Sequence, residues 1–304
     1  MIKSLARAVF VAGLMLTASG VAQAAQDLKP FVLAYETTGD ISQAADQVKT
    51  KLKNAGFDIA GSYQPYDGAL VIAVTDKTLK SAAASTDNGG YIAGQRVTLT
   101  KVNGQIQVAY TNPVYYGNAY RITDEQDLNK AFDQLKSTLG FKEAYGTGDD
   151  KLTAKDLRKY HYMFGMEYFD DPSHLAEYGS HDEAVKAVEK GLAAGKGGAH
   201  KVYEISIPNT DQTVFGVGLT QGCSGDKYIM SRVDKAKIRS TGHLPYEVLV
   251  KGKNVYALYA RFRIAISWPN LPMIQSSTGA TFFNIMCAPN AIEKALTEAA
   301  GGQA

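Results

Sequence analysis

Two stretches of the chain set apolar residues at helical spacing behind the same kind of opening. Asp40-Ile-Ser-Gln43 leads into Ala44, Val48 and Leu52, and Ser180-His-Asp-Glu183 leads into Ala184, Val188 and Leu192. Each begins with an N-cap residue followed three positions later by Gln or Glu, a pairing that can satisfy two otherwise orphaned backbone N–H groups. The pattern predicts helices over 40–54, with Gly56 as the C-terminal stop, and over 182–194. Phe31–Tyr35 and Ala69–Val74 read as strands, and Lys77–Ser85 as a short helix ended by Asp87-Asn88-Gly89-Gly90. Val97–Val102 and Gln105–Tyr110 flank Asn103-Gly104, the strongest short hairpin signal. Asp124–Leu139 places Leu128, Phe132, Leu135 and Leu139 on one helical face.

Residues 141–155 are polar, with Gly146 and Gly148, and read as a linker. The same order of elements then returns with more decoration. A helical insert is expected near 155–178. Strands are expected at Val202–Ile207 and Thr213–Leu219, and a hairpin at Glu247–Val250 and Val255–Ile266. A closing helix at Pro289–Ala299 turns Ile292 and Leu296 inward. The expected fold class is α+β: two tandem two-layer sandwich modules, 25–145 and 146–304, each an antiparallel sheet with helices packed on one face. A doubly wound sheet needs regular strand–helix alternation and a glycine-rich first turn, and neither is present. Different strand orders in the two halves would overturn the reading as two copies.

Ala45-x-x-Val48-x-x-x-Leu52-x-x-x-Gly56-Phe57, the apolar strand, the hairpin and the following Asn112-Pro113 together resemble the family called domain of unknown function 302. The second half, with His243-Leu244-Pro245-Tyr246 ahead of its hairpin, resembles the same family more loosely. The resemblance covers most of the chain after residue 24 as two divergent copies in tandem. It implies a compact α+β sandwich for each and assigns no reaction and no functional residue.

The first 24 residues change the charge count. Lys3 and Arg7 precede an apolar run, Ala8–Leu16, too short to span a bilayer, and Ala22-Gln23-Ala24 supplies a small-x-small cleavage pattern. A signal peptide cut after Ala24 is expected, giving a periplasmic or extracellular protein with no transmembrane anchor after cleavage. Its removal takes two of the 32 Lys+Arg and none of the 30 Asp+Glu, so the mature chain carries no net charge. That argues against nucleic acid as a partner, since no overall field draws in a polyanion. Cys223 and Cys287 are the two cysteines, and an oxidising compartment permits a disulfide between them. No Cys-x-x-Cys occurs to support a thioredoxin site, a zinc ribbon or covalent haem attachment.

Candidate chemistry is sparse. His161, Met163, Met166, His174 and His181 fall within 21 residues, and imidazole with thioether suits copper, especially Cu(I). Aromatic and Met residues at such spacing equally build cores. His243 stands near Tyr246 and Glu247, where an imidazole beside a carboxylate could move protons. Arg261 and Arg263 flank Phe262 on an expected strand and would share one face, placed to clamp an anion on an open sheet. Gln221–Asp226 is a glycine-containing turn without the pattern of a phosphate loop or a hydrolase elbow. No nucleophile, base and oxyanion donors fall into a recognisable set. The function expected is a non-enzymatic binding or accessory protein, with no cofactor. It would take an unknown small ligand between the two modules or beside Arg261 and Arg263. Two alternatives stay open: copper binding by 161–181, and a subunit packed against an envelope protein partner.

Overall fold

The computed structural model describes residues 27–303, so the expected signal peptide and its expected cleavage point lie outside the described residues. Chain order gives β1 (Phe31–Thr37), α1 (Ile41–Asn54), β2 (Asp58–Tyr63), β3 (Ala69–Thr75), α2 (Lys77–Ala84), β4 (Gln95–Val102), β5 (Gln105–Thr111), α3 (Pro113–Ala119), α4 (Glu125–Leu139) and β6 (Glu143–Tyr145). After α5 (Ala154–Leu157) come β7 (Ser173–Glu177), α6 (His181–Ala193), β8 (Ala199–Ile207), β9 (Gln212–Leu219), α7 (Asp226–Val233), β10 (Tyr246–Lys251), β11 (Asn254–Ala257), α8 (Ala260–Ala265) and α9 (Ala288–Ala299). The strands form two antiparallel sheets with helices packed around them. The first runs β2-β3-β4-β5-β1-β6 and the second β8-β9-β10-β11-β7. Apart from β6, the second sheet repeats the strand order of the first, with α1 and α6 after the first strand of each and α4 and α9 closing each unit.

The two capped helices show why the local pattern was informative. Asp40 accepts from the N–H groups of Ser42 and Gln43, both at 2.9 Å, and Ser180 accepts from Glu183 N at 3.3 Å. The buried stripe of α1 is Ala45, Val48 and Leu52; that of α6 is Ala184, Val188, Gly191 and Leu192. These stripes close one core on each sheet. Val97, Leu99 and Val108 meet α1 and α4, while Phe215, Val217, Val248 and Val250 meet α6 and α9.

Strand residues alternate between faces, so the neighbours of those core residues point the other way. Ala73, Tyr203, Ile205, Val214 and Leu249 join a third core shared by the two sheets. The sheets approach closely at Gly61 of β2, where a Cβ would sit 1.9 Å from the carbonyl oxygen of Val202 in β8. Each sheet therefore turns one face to its own long helices, α1 and α4 or α6 and α9. It turns the other to a core shared with the other half of the molecule, into which α2, α3 and α8 also send side chains.

Three expected elements differ. Residues 141–155 are not a plain linker, since Glu143–Tyr145 pairs with Phe31–Leu33 as the edge strand β6 of the first sheet. Residues 155–178 are not a helical insert: α5 spans four residues, and Ser173–Glu177 is the edge strand of the second sheet. Pro172 breaks any helix there, and Ser173 and Leu175 are buried while His174 between them is exposed, the period of a strand. The expected strand 255–266 ends at Ala257, and Arg261 and Arg263 lie on α8. Ala260 and Ile264, four residues apart, enter the core of the second sheet, while Phe262 and Ile266 enter the core between the sheets. A short helix can serve both cores at once; a strand would have turned Arg261 and Arg263 to a common face.

Candidate functional site

The polar positions between the sheets converge on one sealed group. His243 ends a tight turn just before β10, Tyr246 and Glu247 open that strand, and Arg263 comes from α8. Arg96 of β4 completes the group from the first half by an ion pair with Glu247. The Nε of Arg263 stands 3.9 Å from the same carboxylate oxygen, and Tyr203 of β8 donates to the other oxygen at 2.6 Å. His243 contacts Ser267 Oγ through Nδ1 and Tyr246 OH through Nε2, each at 2.9 Å. Burial, reinforced by the positive charges of Arg263 and Arg96, pushes the His243 pKa well below its usual value. In a neutral ring one nitrogen accepts and the other donates. The Arg263 Nη1 donor 3.3 Å from Nδ1 assigns Nδ1 as the acceptor, which leaves Nε2–H to donate to Tyr246 OH. Arg263 Nη1 donates to Ser267 Oγ at 2.9 Å.

This geometry orders side chains without exposing them. His243 and Ser267 have no exposed surface, and Arg96 has none either. Ser267 reaches His243 but has no open face for a substrate carbonyl, so the pair is not arranged as a nucleophile and base. Nothing in the local sequence pattern singles out Arg96, Ser267 or Tyr203. Arg96-Val-Thr-Leu-Thr alternates like a strand with a solvated face, and only the second sheet turns that face into an interior.

A cleft of about 520 Å³ shared by the two halves opens beside this group. Lys29, Lys142 and Tyr145 line it from the first half, and Lys237, Trp268 and Asn270 from the second. Trp268, the single tryptophan of the chain, has its ring centroid 4.5 Å from that of His243, so the cleft wall rests on the sealed group. The backbone of the loop 234–240 is pinned against it. Gln107 Nε2 donates to Lys237 O at 2.9 Å, Arg239 N donates to Gln107 Oε1 at 3.0 Å, and Tyr145 OH donates to Arg239 O at 2.8 Å. Lys142 is held by Glu36 at 2.6 Å. Glu36 and Glu143 also line the cleft, so with Lys29, Lys142 and Lys237 its charges nearly cancel, and converging polar groups beside an aromatic wall suit a small polar ligand.

The remaining candidates are dispersed. Arg261 is paired with Glu167 and stacks over Tyr259, away from Arg263. His161 Nδ1 contacts Met163 O at 2.8 Å, His174 Nε2 contacts Asn254 Oδ1 at 3.0 Å, and His181 Nε2 contacts Thr213 Oγ1 at 3.3 Å. Met163 is exposed, and Met166 half-buried in the turn it forms with Met163. Among the described residues no three His, Cys, Asp or Glu side chains gather as a metal cluster. Cys223 and Cys287 form a disulfide that ties the turn before α7 to the start of α9. No described helix is long and apolar enough to cross a membrane.

No protein-family model and no curated protein matches the chain. Among solved structures, the uncharacterized conserved protein DUF302 from Bacillus stearothermophilus is similar over 34% of this chain and 94% of its own length. The identity is 11% and the TM-score 0.32.

Proposed function

We propose that this is an exported, non-enzymatic binding protein made of two divergent copies of one α+β module, of the domain of unknown function 302 type. Its ligand occupies the cleft between the copies. The repeated strand order supports the duplication. The observation that carries the binding reading is the shared cleft itself, with Lys142 and Tyr145 on one side and Lys237 and Trp268 on the other. Interfaces between units are favoured ligand positions because two rigid surfaces supply converging groups. The ion-paired group behind Trp268 supports binding over catalysis: it fixes the wall and offers no accessible nucleophile.

Trp268 makes the test direct. Titration with small anions, aromatic acids and lipids should reveal one class that changes its fluorescence saturably. Lys142→Ala should weaken that binding at least tenfold, and Trp268→Phe should remove the optical signal while leaving a calorimetric one. Silence by both fluorescence and calorimetry across the panel would overturn the reading.

A further inference from the structure

A separate cleft, of about 320 Å³, also joins the two halves and shares only the loop 234–240 with the Trp268 cleft. Tyr66, Asp67, Thr100 and Lys101 line it from the first half; Lys227, Ser231, Asp234, Lys235 and Arg239 line it from α7 and the loop. Four cations thus face Asp67 and Asp234. Among the described residues Lys101, Lys227 and Lys235 have no ion-pair partner. Asp234 is 6% exposed, its Oδ1 accepts from Ser240 N at 2.9 Å, and its buried Oδ2 has no partner among the described residues. Tyr66 OH and Thr100 Oγ1 both meet Thr241 Oγ1, at 3.1 and 2.8 Å, so the hydroxyl floor is fixed.

We propose that this cleft binds a small polyanion bearing two or more phosphate or carboxylate groups. Its walls offer ammonium, guanidinium and hydroxyl donors, and a ligand of acceptor oxygens is their complement. Two or more charges are required because one would leave most of the cations unanswered. Asp234 sets the charge balance of the cleft: burial raises its pKa to about 7, and in its protonated form it cancels none of the charge of the four cations. Lys235 and Arg239 face Asp234 from its own loop, and Tyr66 and Tyr145 from the first half. Both tyrosines titrate well above neutrality. Asp226, which faces Tyr66, also titrates near 7, so only a variant at 234 isolates the Asp234 contribution.

Calorimetry with inorganic pyrophosphate and citrate tests the site and separates a phosphate ligand from a carboxylate one, with orthophosphate and acetate as single-group controls. One polyanion should bind at pH 6 and low salt, much more tightly than its control. Lys227→Ala plus Lys235→Ala, both exposed and away from the core, should weaken it at least tenfold without moving the unfolding temperature. Lys142→Ala should leave it unchanged, which keeps this result separate from the Trp268 cleft. Between pH 6 and 8 the wild-type affinity should fall relative to Asp234→Asn, because an ionised carboxylate repels the ligand. Absence of heat from both polyanions at millimolar concentration overturns the proposal, and so does binding that the double lysine variant leaves intact.

Discussion

Asp226 and Glu247 are both carboxyls inside the protein, and they are accommodated in opposite ways. Glu247 is paired with Arg96 and accepts from Tyr203, so its charge is answered on the spot. Asp226 accepts a bond from Tyr63 at 2.9 Å and a longer one from Leu219 N at 3.3 Å, and no cation. Burial raises its pKa from 3.8 to about 7. The folded chain therefore holds this proton more tightly than the unfolded chain between roughly pH 4 and pH 7. The contribution of Asp226 to stability is fully present below the lower value and lost as pH rises through the upper one. Asp226→Asn keeps an acceptor for Tyr63 and removes the titration. Its unfolding free energy, measured in urea across pH, should match wild type near pH 4.5 and exceed it at pH 8. Parallel curves at all pH values would refute the assignment.

At the scale of elements, Gly191 separates what a propensity predicts from what packing requires. It lies inside α6, where a glycine costs about 1 kcal/mol relative to alanine. A Cβ there would sit 1.8 Å from Ala299 O, at the end of α9. Gly191→Ala should therefore destabilise, by about 1–3 kcal/mol of overpacking, where an exposed helix site would gain. Equilibrium denaturation measures the sign, and a stabilised variant would show that α6 and α9 can separate at no cost. The same distinction explains what the sequence revealed. α1, α6 and the β4–β5 hairpin carry caps, stripes and an Asn-Gly turn that act within a few residues, and they were legible. α8 was not, because Phe262 and Ala260 serve two different cores and so show no single apolar face. β7 was hidden by its five-residue length and the aromatic run before it. The group around His243 was half legible: His243, Tyr246, Glu247 and Arg263 lie within 21 residues of one another, but their partner Arg96 is brought by a sheet-to-sheet contact that no local spacing encodes.

For the molecule as a whole, the two sheets share an interior, and that predicts how the chain unfolds. Separate tandem modules would melt in two steps. Here Tyr203, Ile205, Val214 and Leu249 of the second sheet lie in one core with Ala73, Tyr91 and Tyr116 of the first half, and Glu247 would lose Arg96 if the halves parted. Removing one partner of a buried ion pair typically costs about 3–5 kcal/mol, so parting the halves would cost each of them stability. Scanning calorimetry should give one transition with equal calorimetric and van't Hoff enthalpies. The disulfide adds a lever confined to the second half. Its ends are 64 residues apart, and closing such a loop stabilises by about 4 kcal/mol in the chain-entropy view. Cys223→Ser plus Cys287→Ser should lower the whole transition, and amide exchange in β4 and β5 of the first half should accelerate with it. A second peak that keeps its temperature in the double variant would mean that the halves fold independently and that the core between them is a contact rather than a common interior.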